Sequence, residues 1–568
     1  MFNLLRFPLE PGPYAITVRQ PERTLGATLG NPKTTAKCTE GGFTLWSPEV
    51  RSFPVTGPEG QQACRLRPLG VQVEEWTFDL FVQFRRLRLA EGVVEEAFFV
   101  PRGAWFEGLC GFVLAYQNAG ETPVELALEI EGPGQGFDKD RLKVVVIPLP
   151  ERFAGFEEGE VRFRIPVGER AWLVVAAVTE AQEAALAGSL EHWRALVEGL
   201  EAQTNKLLLT TVPVDFPDER IAKACVWAKA NCMRLLHEFP QGWGMTNNPP
   251  TVFVVGRDTA WMAAGLDWLL PEFSAAALRV FGKHQEPSGQ IVEYIDMTSG
   301  EWEDYGLRLA DNTPLWLWAI RHHELVTGDS GYAESLRSEV EKAVRQLLSL
   351  RGERGLLTGK PAGTNVWGIS SWRNIIPDYV ISGEVMEINC LACLALKEAA
   401  VLLSSQELAR EAQSLRKAIN DQLWQSDRYL LDVYEGKERA LLTIDQVFPV
   451  LCGVADEARS RQLLHLLRGP EFQGPAGLRA VPTNSPEYHP TEAWGLLGGI
   501  WPNPMLWAAK AFAMLDFDFA LGLVSQVTDM ALDTERFVGT VPGEFPEWIH
   551  GEELESRGMS LSPWVAPT

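Results

Sequence analysis

Nowhere in the 568 residues is there an apolar run near the ~20 residues a membrane-spanning helix needs. Basic charge is scarce, with 51 Lys and Arg against 75 Asp and Glu, a formal net charge of −24 spread along the chain. That balance argues against nucleic acid or an anionic membrane as partner, since both demand a basic footprint. The opening MFNLLRFPLEPGPYAITV lacks a basic leader, a full apolar core and a small-residue cleavage site, so no signal peptide is expected. Cysteine is sparse too: the eight are scattered through apolar runs, as reduced core thiols are. Cys390 and Cys393 form a CxxC, but inside a helical pattern and with no second pair, so no metal site is expected. No phosphate-cradling glycine loop is evident, and no cofactor is expected. The reading is a cytoplasmic enzyme, its oligomeric state hidden.

Tryptophan, by contrast, is plentiful. There are twenty, which fit either large cores or a sugar cleft in which indole faces stack on pyranose rings. The length suits two to four domains. Residues 1 to 178 read as β: WTFDLFVQFRRLRLA, EAFFVPR, GFVLAYQNAG, VELALEIEG, LKVVVIPL, VRFRIPVG and AWLVVAAV are short, often alternating, and bounded by Gly, Pro and Asn. A β-sandwich is expected there. Residues 179–214 read as a linker helix region, and 215–568 as helical throughout. Eleven helices are expected, near 217–238, 258–270, 272–284, 311–327, 331–351, 383–403, 406–424, 443–451, 456–468, 500–515 and 517–533. That is one short of six pairs. A twelfth would begin at SLSPWVAPT, so either the closing helix is absent or the count is off by one.

Long loops rich in Gly, Pro, Trp and Asn separate the helix pairs at 239–257, 285–310, 352–382, 470–499 and 534–562, and long ordered loops are usually functional. Cleaving a glycoside by inversion needs a proton donor and a second carboxylate about 6.5–9.5 Å away that activates water. The loops offer candidates. Arg257 and Asp258, in VVGRDTAW, match a vicinal diol as donor fork and acceptor, or form a helix cap with its neighbour. Asp311 opens a helix and reads equally as a cap, while Asp304 sits in a solvated acidic run. Arg373, Asp378, Glu384 and Glu387 lie in SSWRNIIPDYVISGEVMEIN, with Glu387 on an otherwise apolar helix. Glu544 and Glu547 lie in VPGEFPEWIHGE, where proline and aromatic flanks favour a held carboxylate at Glu547. The histidines are sparse: His322 and His323 share a helix, and His284, His489 and His550 lie in loops.

These motifs, in this order, resemble the α/α-barrel glycosidases: glucoamylase (family 15), the glucosidase domain of glycogen-debranching enzyme, and processing α-glucosidase (family 63). GRDTAWMAAGL is similar to their GRD–T–W signature, DNTPLWLWAI to D-x-T-L-W-F, GEVMEINCLACLAL to the debranching G-x-x-VEIN-A-L helix, GLLGGIWPNPMLW to the processing-type G-G-x-V-W-P. FPEWIHGE with RGMSLSPW resembles the loop that carries the general base. The resemblance covers most of 215–568. It implies a β-sandwich followed by an (α/α)6 toroid of six-hairpin type, and an inverting exo-acting hydrolase, an α-glucosidase on a small or oligomeric α-glucoside. Arg257 and Asp258 would hold the terminal sugar, with Trp243, Asp311, Trp372, Arg373, Glu387 and Trp501 lining its pocket.

One departure stands out. Relatives carry the acid in W-x-D or W-D-N, and SSWRN has Arg373 there, which cannot donate a proton at neutral pH. Counting back from EINCLACLAL in the glucoamylase register indicates Asp378 as general acid, with Glu547 as general base and Glu384 and Glu544 as alternatives. A phosphorylase, an invertase-like, rhamnosidase-like or epimerase activity on the same barrel, or a carbohydrate-binding protein without catalysis, are the rival readings.

Overall fold

Alternation of apolar and polar residues decides which face of a strand is buried. In Glu160–Ile165, Val161, Phe163 and Ile165 are buried while Arg162 and Arg164 are exposed. The computed structural model describes residues 10–39, 41–46, 65–102, 110–131, 143–149, 151–157, 159–178, 193–245, 251–303, 311–359, 371–373 and 382–568. The chain divides into two units. The first is Met1–Phe239 with Asn248–Val252 and Val538–Glu544; the second is Pro240–Asn247, Phe253–Phe537 and Phe545–Thr568.

Two seven-stranded antiparallel sheets make up most of the first unit. One runs in the order β1 (Ile16–Val18), β6 (Gln72–Phe78), β7 (Val82–Leu89), β8 (Gly92–Phe99), β9 (Cys110–Asn118), β14 (Arg170–Val178), β11 (Lys143–Leu149). The other runs β12 (Ala154–Glu157), β13 (Glu160–Ile165), β10 (Val124–Glu131), β5 (Arg65–Leu69), β4 (Gly42–Trp46), β3 (Thr34–Thr39), β2 (Thr28–Asn31). They meet through aromatic side chains: Phe43 of β4 lies 5.3 Å from Phe98 of β8 and 5.9 Å from Phe112 of β9, centroid to centroid. Two helices follow in this unit, α1 (Trp193–Thr210) and α2 (Glu219–Leu235), the latter capped by Asp218, which accepts from the N–H groups of Arg220 and Ile221. Near the end of α2, buried Arg234 donates to the carbonyls of Asp79 and Leu80 and pairs with Glu544 at 3.3 Å.

The second unit is helical: α3 (Gly256–Leu266), α4 (Pro271–Lys283), α5 (Asn312–Thr327), α6 (Ser330–Ser335), α7 (Arg337–Ser349), α8 (Met386–Leu402), α9 (Gln406–Gln422), α10 (Phe448–Leu451), α11 (Glu457–Leu467), α12 (Pro502–Phe512) and α13 (Phe517–Leu532). The helices fall where the 3.6-residue period of the sequence indicates. Two species alternate. Helix α8 buries nearly every residue from Met386 to Ala399, whereas α9 buries only Leu408, Ala412, Leu415 and Ile419, a single stripe. The apolar helices touch in succession, α3 on α5, α5 on α8, α8 on α10 and α10 on α12. Trp261 of α3 stacks on Trp507 of α12 at 4.7 Å. The residues after α13 form turns, and Trp564 is buried there, 6.1 Å from Trp501 and 5.9 Å from Trp507.

Candidate active site

Four of the charged side chains singled out in the sequence, Arg257, Asp258, Asp311 and Glu387, stand at the N-terminal ends of apolar helices. Helix α3 begins at Gly256, two residues earlier than the periodicity suggests. Arg257 and Asp258 are therefore inside its first turn, both buried, and Val255 occupies the cap position without a side-chain cap. Asp311 stands at the cap position of α5 but makes no capping hydrogen bond. Its carboxylate turns instead to Arg257, accepting from Nε and from Nη2, the latter at 2.9 Å. Glu293 comes within 3.5 Å of the same guanidinium and accepts from Asn312 Nδ2 at 2.7 Å. Burial works against the charge of Arg257, yet Asp311 and Glu293 hold its pKa above the ordinary value. Burial pushes Asp311 up to about 6 against the pull of Arg257, which leaves the pair ionic at neutral pH.

A second buried pair faces a different helix end. Arg373 donates through Nε to Asp445 at 2.6 Å, and through its other nitrogens to the carbonyls of Leu496 and Ala480 at 2.5 and 2.8 Å. Its guanidinium lies 4.4 Å from the Trp372 ring, and Trp372 Nε1 donates to the other oxygen of Asp445 at 2.7 Å. Asp445 sits in the turn Ile444–Val447 that leads into α10. Each of the three guanidinium nitrogens of Arg373 thus meets a protein acceptor. Between the two pairs lies Glu387, in the first turn of α8 and 3% exposed. Among the described residues no hydrogen bond reaches its carboxyl group. Burial first, then the charges of Asp445 and Asp311, drive its pKa well above the ordinary carboxylate range, opposed by Arg257 and Arg373. That shift favours the neutral form of the carboxyl, the form that can donate a proton.

Tryptophans connect this charged floor to Glu547. Trp372 packs edge-on to Trp501 at 5.9 Å, and Trp501 stacks on Trp548 at 6.2 Å with an interplanar angle of 14°. Glu547 precedes Trp548 on an extended segment pinned on both sides: Ile549 exchanges two 2.8 Å backbone hydrogen bonds with Ile500, and the Glu547 N–H donates to the Met559 carbonyl at 2.8 Å. The Glu547 carboxylate accepts from Trp494 Nε1 at 3.2 Å and from the Met559 N–H at 3.1 Å, both on Oε2. Gly558 makes this approach feasible, because a Cβ there would stand 2.6 Å from Oε2 and 2.5 Å from Trp548. Burial pushes the Glu547 carboxyl up, and its two donors pull it back in part.

The remaining candidates lie apart from this constellation or outside the described residues. Asp378 and Asp304 belong to segments that the structure does not describe. Glu384 is approached by Arg354 at 2.9 Å from Oε2, without hydrogen-bond alignment. Trp243 is half-buried, edge-on to Phe273 at 5.7 Å. Glu544 is in the first unit, where it accepts from the Thr28 N–H at 2.9 Å and faces Arg234. Sequence reasoning overlooked Glu293, Asp445, Trp494, Trp507, Trp548 and Trp564. Asp445 reads as an ordinary helix start, and Trp494 differs from its neighbours only in standing before the glycines of GLLGG.

Two buried carboxylate–guanidinium pairs and a buried carboxyl between them, joined by a wall of indoles to the carboxylate of Glu547, form an arrangement suited to acid–base work on a polyol. In comparison with known proteins, residues 384–544 match the family model of the mannosylglycerate hydrolase MGH1-like glycoside hydrolase domain. That match spans less than a third of the chain, and it is a likeness to a glycoside hydrolase domain over that stretch. Over its whole length it is similar to a bacterial glucoamylase complexed with acarbose, with 12% identity and a TM-score of 0.62, covering 97% of this chain and 96% of that one. It is also similar to the GH63 mannosylglycerate hydrolase of Thermus thermophilus in complex with glucose, with 15% identity and a TM-score of 0.50, covering 61% of this chain and 98% of that one. No curated protein matches the chain significantly. Among the described residues no helix is long and apolar enough to cross a membrane.

Proposed function

We propose that the protein is an inverting, exo-acting hydrolase of a small α-glycoside, an α-glucoside being the first substrate to test. In this reading Asp258 and the Arg257–Asp311 pair hold the terminal sugar, with Glu387, Trp372 and Trp501 lining its pocket. Glu547 is the general base. Asp378 is the general acid, with Glu384 the second choice, and buried Glu387, whose pKa is driven upward, is a further candidate for proton donor. Catalysis transfers the acid's proton to the glycosidic oxygen while Glu547 takes a proton from water on the opposite face. The fold that carries this site is, in our proposal, an (α/α)6 toroid; the succession α3, α5, α8, α10, α12 and the Trp261–Trp507 stack support it. A cytoplasmic setting is part of the proposal, supported by the seven described cysteines all being free thiols.

The observation that carries the reading is Glu547: a buried carboxylate held by two donors on one oxygen, with an aromatic wall leading to the charged pocket. The test is hydrolysis of mannosylglycerate and of a panel of α-glucosides, with the product anomer followed by NMR. Inversion predicts that the β-anomer appears first. Glu547→Gln should lower kcat by about 10²–10⁴-fold; an active Glu547→Gln, or an α-anomer released first, overturns the mechanism. Asp378→Asn and Glu387→Gln then identify the proton donor, since only loss of the true donor is relieved by an activated leaving group.

A second reading has one observation in its favour. Arg373, at the position where relatives carry an acid, is locked to Asp445 and two carbonyls. A barrel that binds sugar without cleaving it would give ligand binding with no turnover across the same panel.

A further inference from the structure

Trp494 adopts a backbone conformation that a bulky residue seldom takes. Its φ is +57°, that of Ala493 is +52°, and Gly495 follows at +74°. Non-glycine residues stay in the left-handed region only where their surroundings hold them, and they concentrate at functional sites. Here the surroundings are specific. Gly495 lies so close to Trp548 that a Cβ would meet its ring at 2.5 Å, and Gly499 approaches the same ring at 2.9 Å. The Gly495 N–H donates to the carbonyls of Thr491 and Glu492, and its own carbonyl accepts from Trp501 Nε1 at 3.3 Å. The turn therefore rests on the two tryptophans of the site wall and projects a third, 53% exposed, whose Nε1–H reaches Glu547.

The direction of that contact matters. Trp494 and the Met559 N–H both donate to Oε2 of Glu547, and among the described residues no hydrogen bond reaches Oε1. We infer that Trp494 is a positioning residue for the base: its left-handed turn fixes the Glu547 carboxylate so that Oε1 is the oxygen presented to water, and its exposed indole face walls the water's position. The inference rests on the reading of Glu547 as general base. In the step it serves, a water O–H bond breaks and the proton passes to Oε1. The water oxygen forms the new bond to the anomeric carbon, and the glycosidic bond breaks with its electron pair leaving on the departing oxygen, which takes the proton from the acid. Of the charged groups on the packed segments, Glu492 pairs with His489 and Arg557 with Glu555, while Glu552 accepts from the Tyr488 hydroxyl at 3.2 Å and Glu553 also lies on the segment.

The test uses the full chain and the pH profile for hydrolysis of α-D-glucosyl and α-D-mannosyl fluoride. Fluoride departs without protonation by the acid, so the acidic limb of the profile reports the base. Trp494→Phe keeps the ring and removes the donor. It should move that limb to higher pH by about half a unit to one unit, because the carboxylate loses a hydrogen bond that favours its charged form. The plateau kcat should fall by about 3–10-fold with KM changed less. Ala493→Gly, which suits the left-handed conformation and keeps both the turn and the donor, should leave the limb unmoved. A wild-type profile in Trp494→Phe overturns the inference while a dead Glu547→Gln leaves the base reading standing; an active Glu547→Gln defeats the base reading itself. Independently of turnover, the 13C-glutamate signal that disappears in Glu547→Gln should titrate at higher pH in Trp494→Phe, and an unmoved signal also overturns the inference.

Discussion

Two glutamates three residues apart, Glu544 and Glu547, have different environments, and their variants separate stability from chemistry. Glu544 faces Arg234, whose side chain is 2% exposed and whose pKa burial lowers to about 10. Removing the carboxylate leaves a buried guanidinium without that counter-charge, so Glu544→Gln should cost about 3 kcal/mol of stability, read as a lower Tm, with kcat per folded molecule unchanged. Glu547→Gln should do the reverse. The sequence brought the pair to attention together because local composition is all it offers. Side-chain partners lie outside the local pattern, 310 residues away for Glu544 and 53 for the indole that reaches Glu547, and no local pattern encodes those distances. The same holds for Arg257 and Asp311, 54 residues apart: both were legible as site candidates, but the fork that joins them was not. Asp311 also stands where a cap is expected and serves Arg257 instead, a tertiary contact overriding a local preference.

At the scale of elements, helices were legible and their functional ends only partly so. The 3.6-residue period locates α8 and α9 and separates a helix buried all round from one buried along a stripe. Strands β2 and β3, TLGN and TTAKCT, have few aliphatic residues and gave no comparable signal. The site depends on the apolar helices starting at one place, because Arg257, Asp311, Glu387, Asp445 and Trp501 all stand within a turn of such a start. Exposed N–H groups there favour negative charge, which suits carboxylates kept out of water. The extended segment bearing Glu547 has no such support and relies on close backbone approach. Gly558→Ala is therefore a test of the element. A methyl group 2.6 Å from Oε2 must displace Glu547 or Trp548, lowering stability by about 1–3 kcal/mol. A displacement of about 1 Å should lower kcat by about 100-fold. Normal Tm and kcat together would contradict the geometry.

At the scale of the whole molecule, the first unit is assembled from three separate stretches of chain, the last being Val538–Glu544. Those seven residues supply Glu544 to Arg234 and Thr28, and the Gly543 carbonyl to Asn231 Nδ2 at 2.8 Å. A cut at the composition change near residue 215 would strand them. The fragment 215–568 should fail to unfold cooperatively by circular dichroism, and a stable, cooperative fragment would contradict this division of the chain. The interleaving has a further consequence during synthesis. A ribosome adding about 5–20 residues per second needs about 15–60 s to cross the 310 residues between Arg234 and Glu544. Throughout that interval the nascent sheet unit waits for its final piece, with Arg234 emerged and its counter-ion still untranslated. The sheet unit should therefore be completed only once Glu544 has been made, and the yield should respond to chaperones that shield long nascent intermediates.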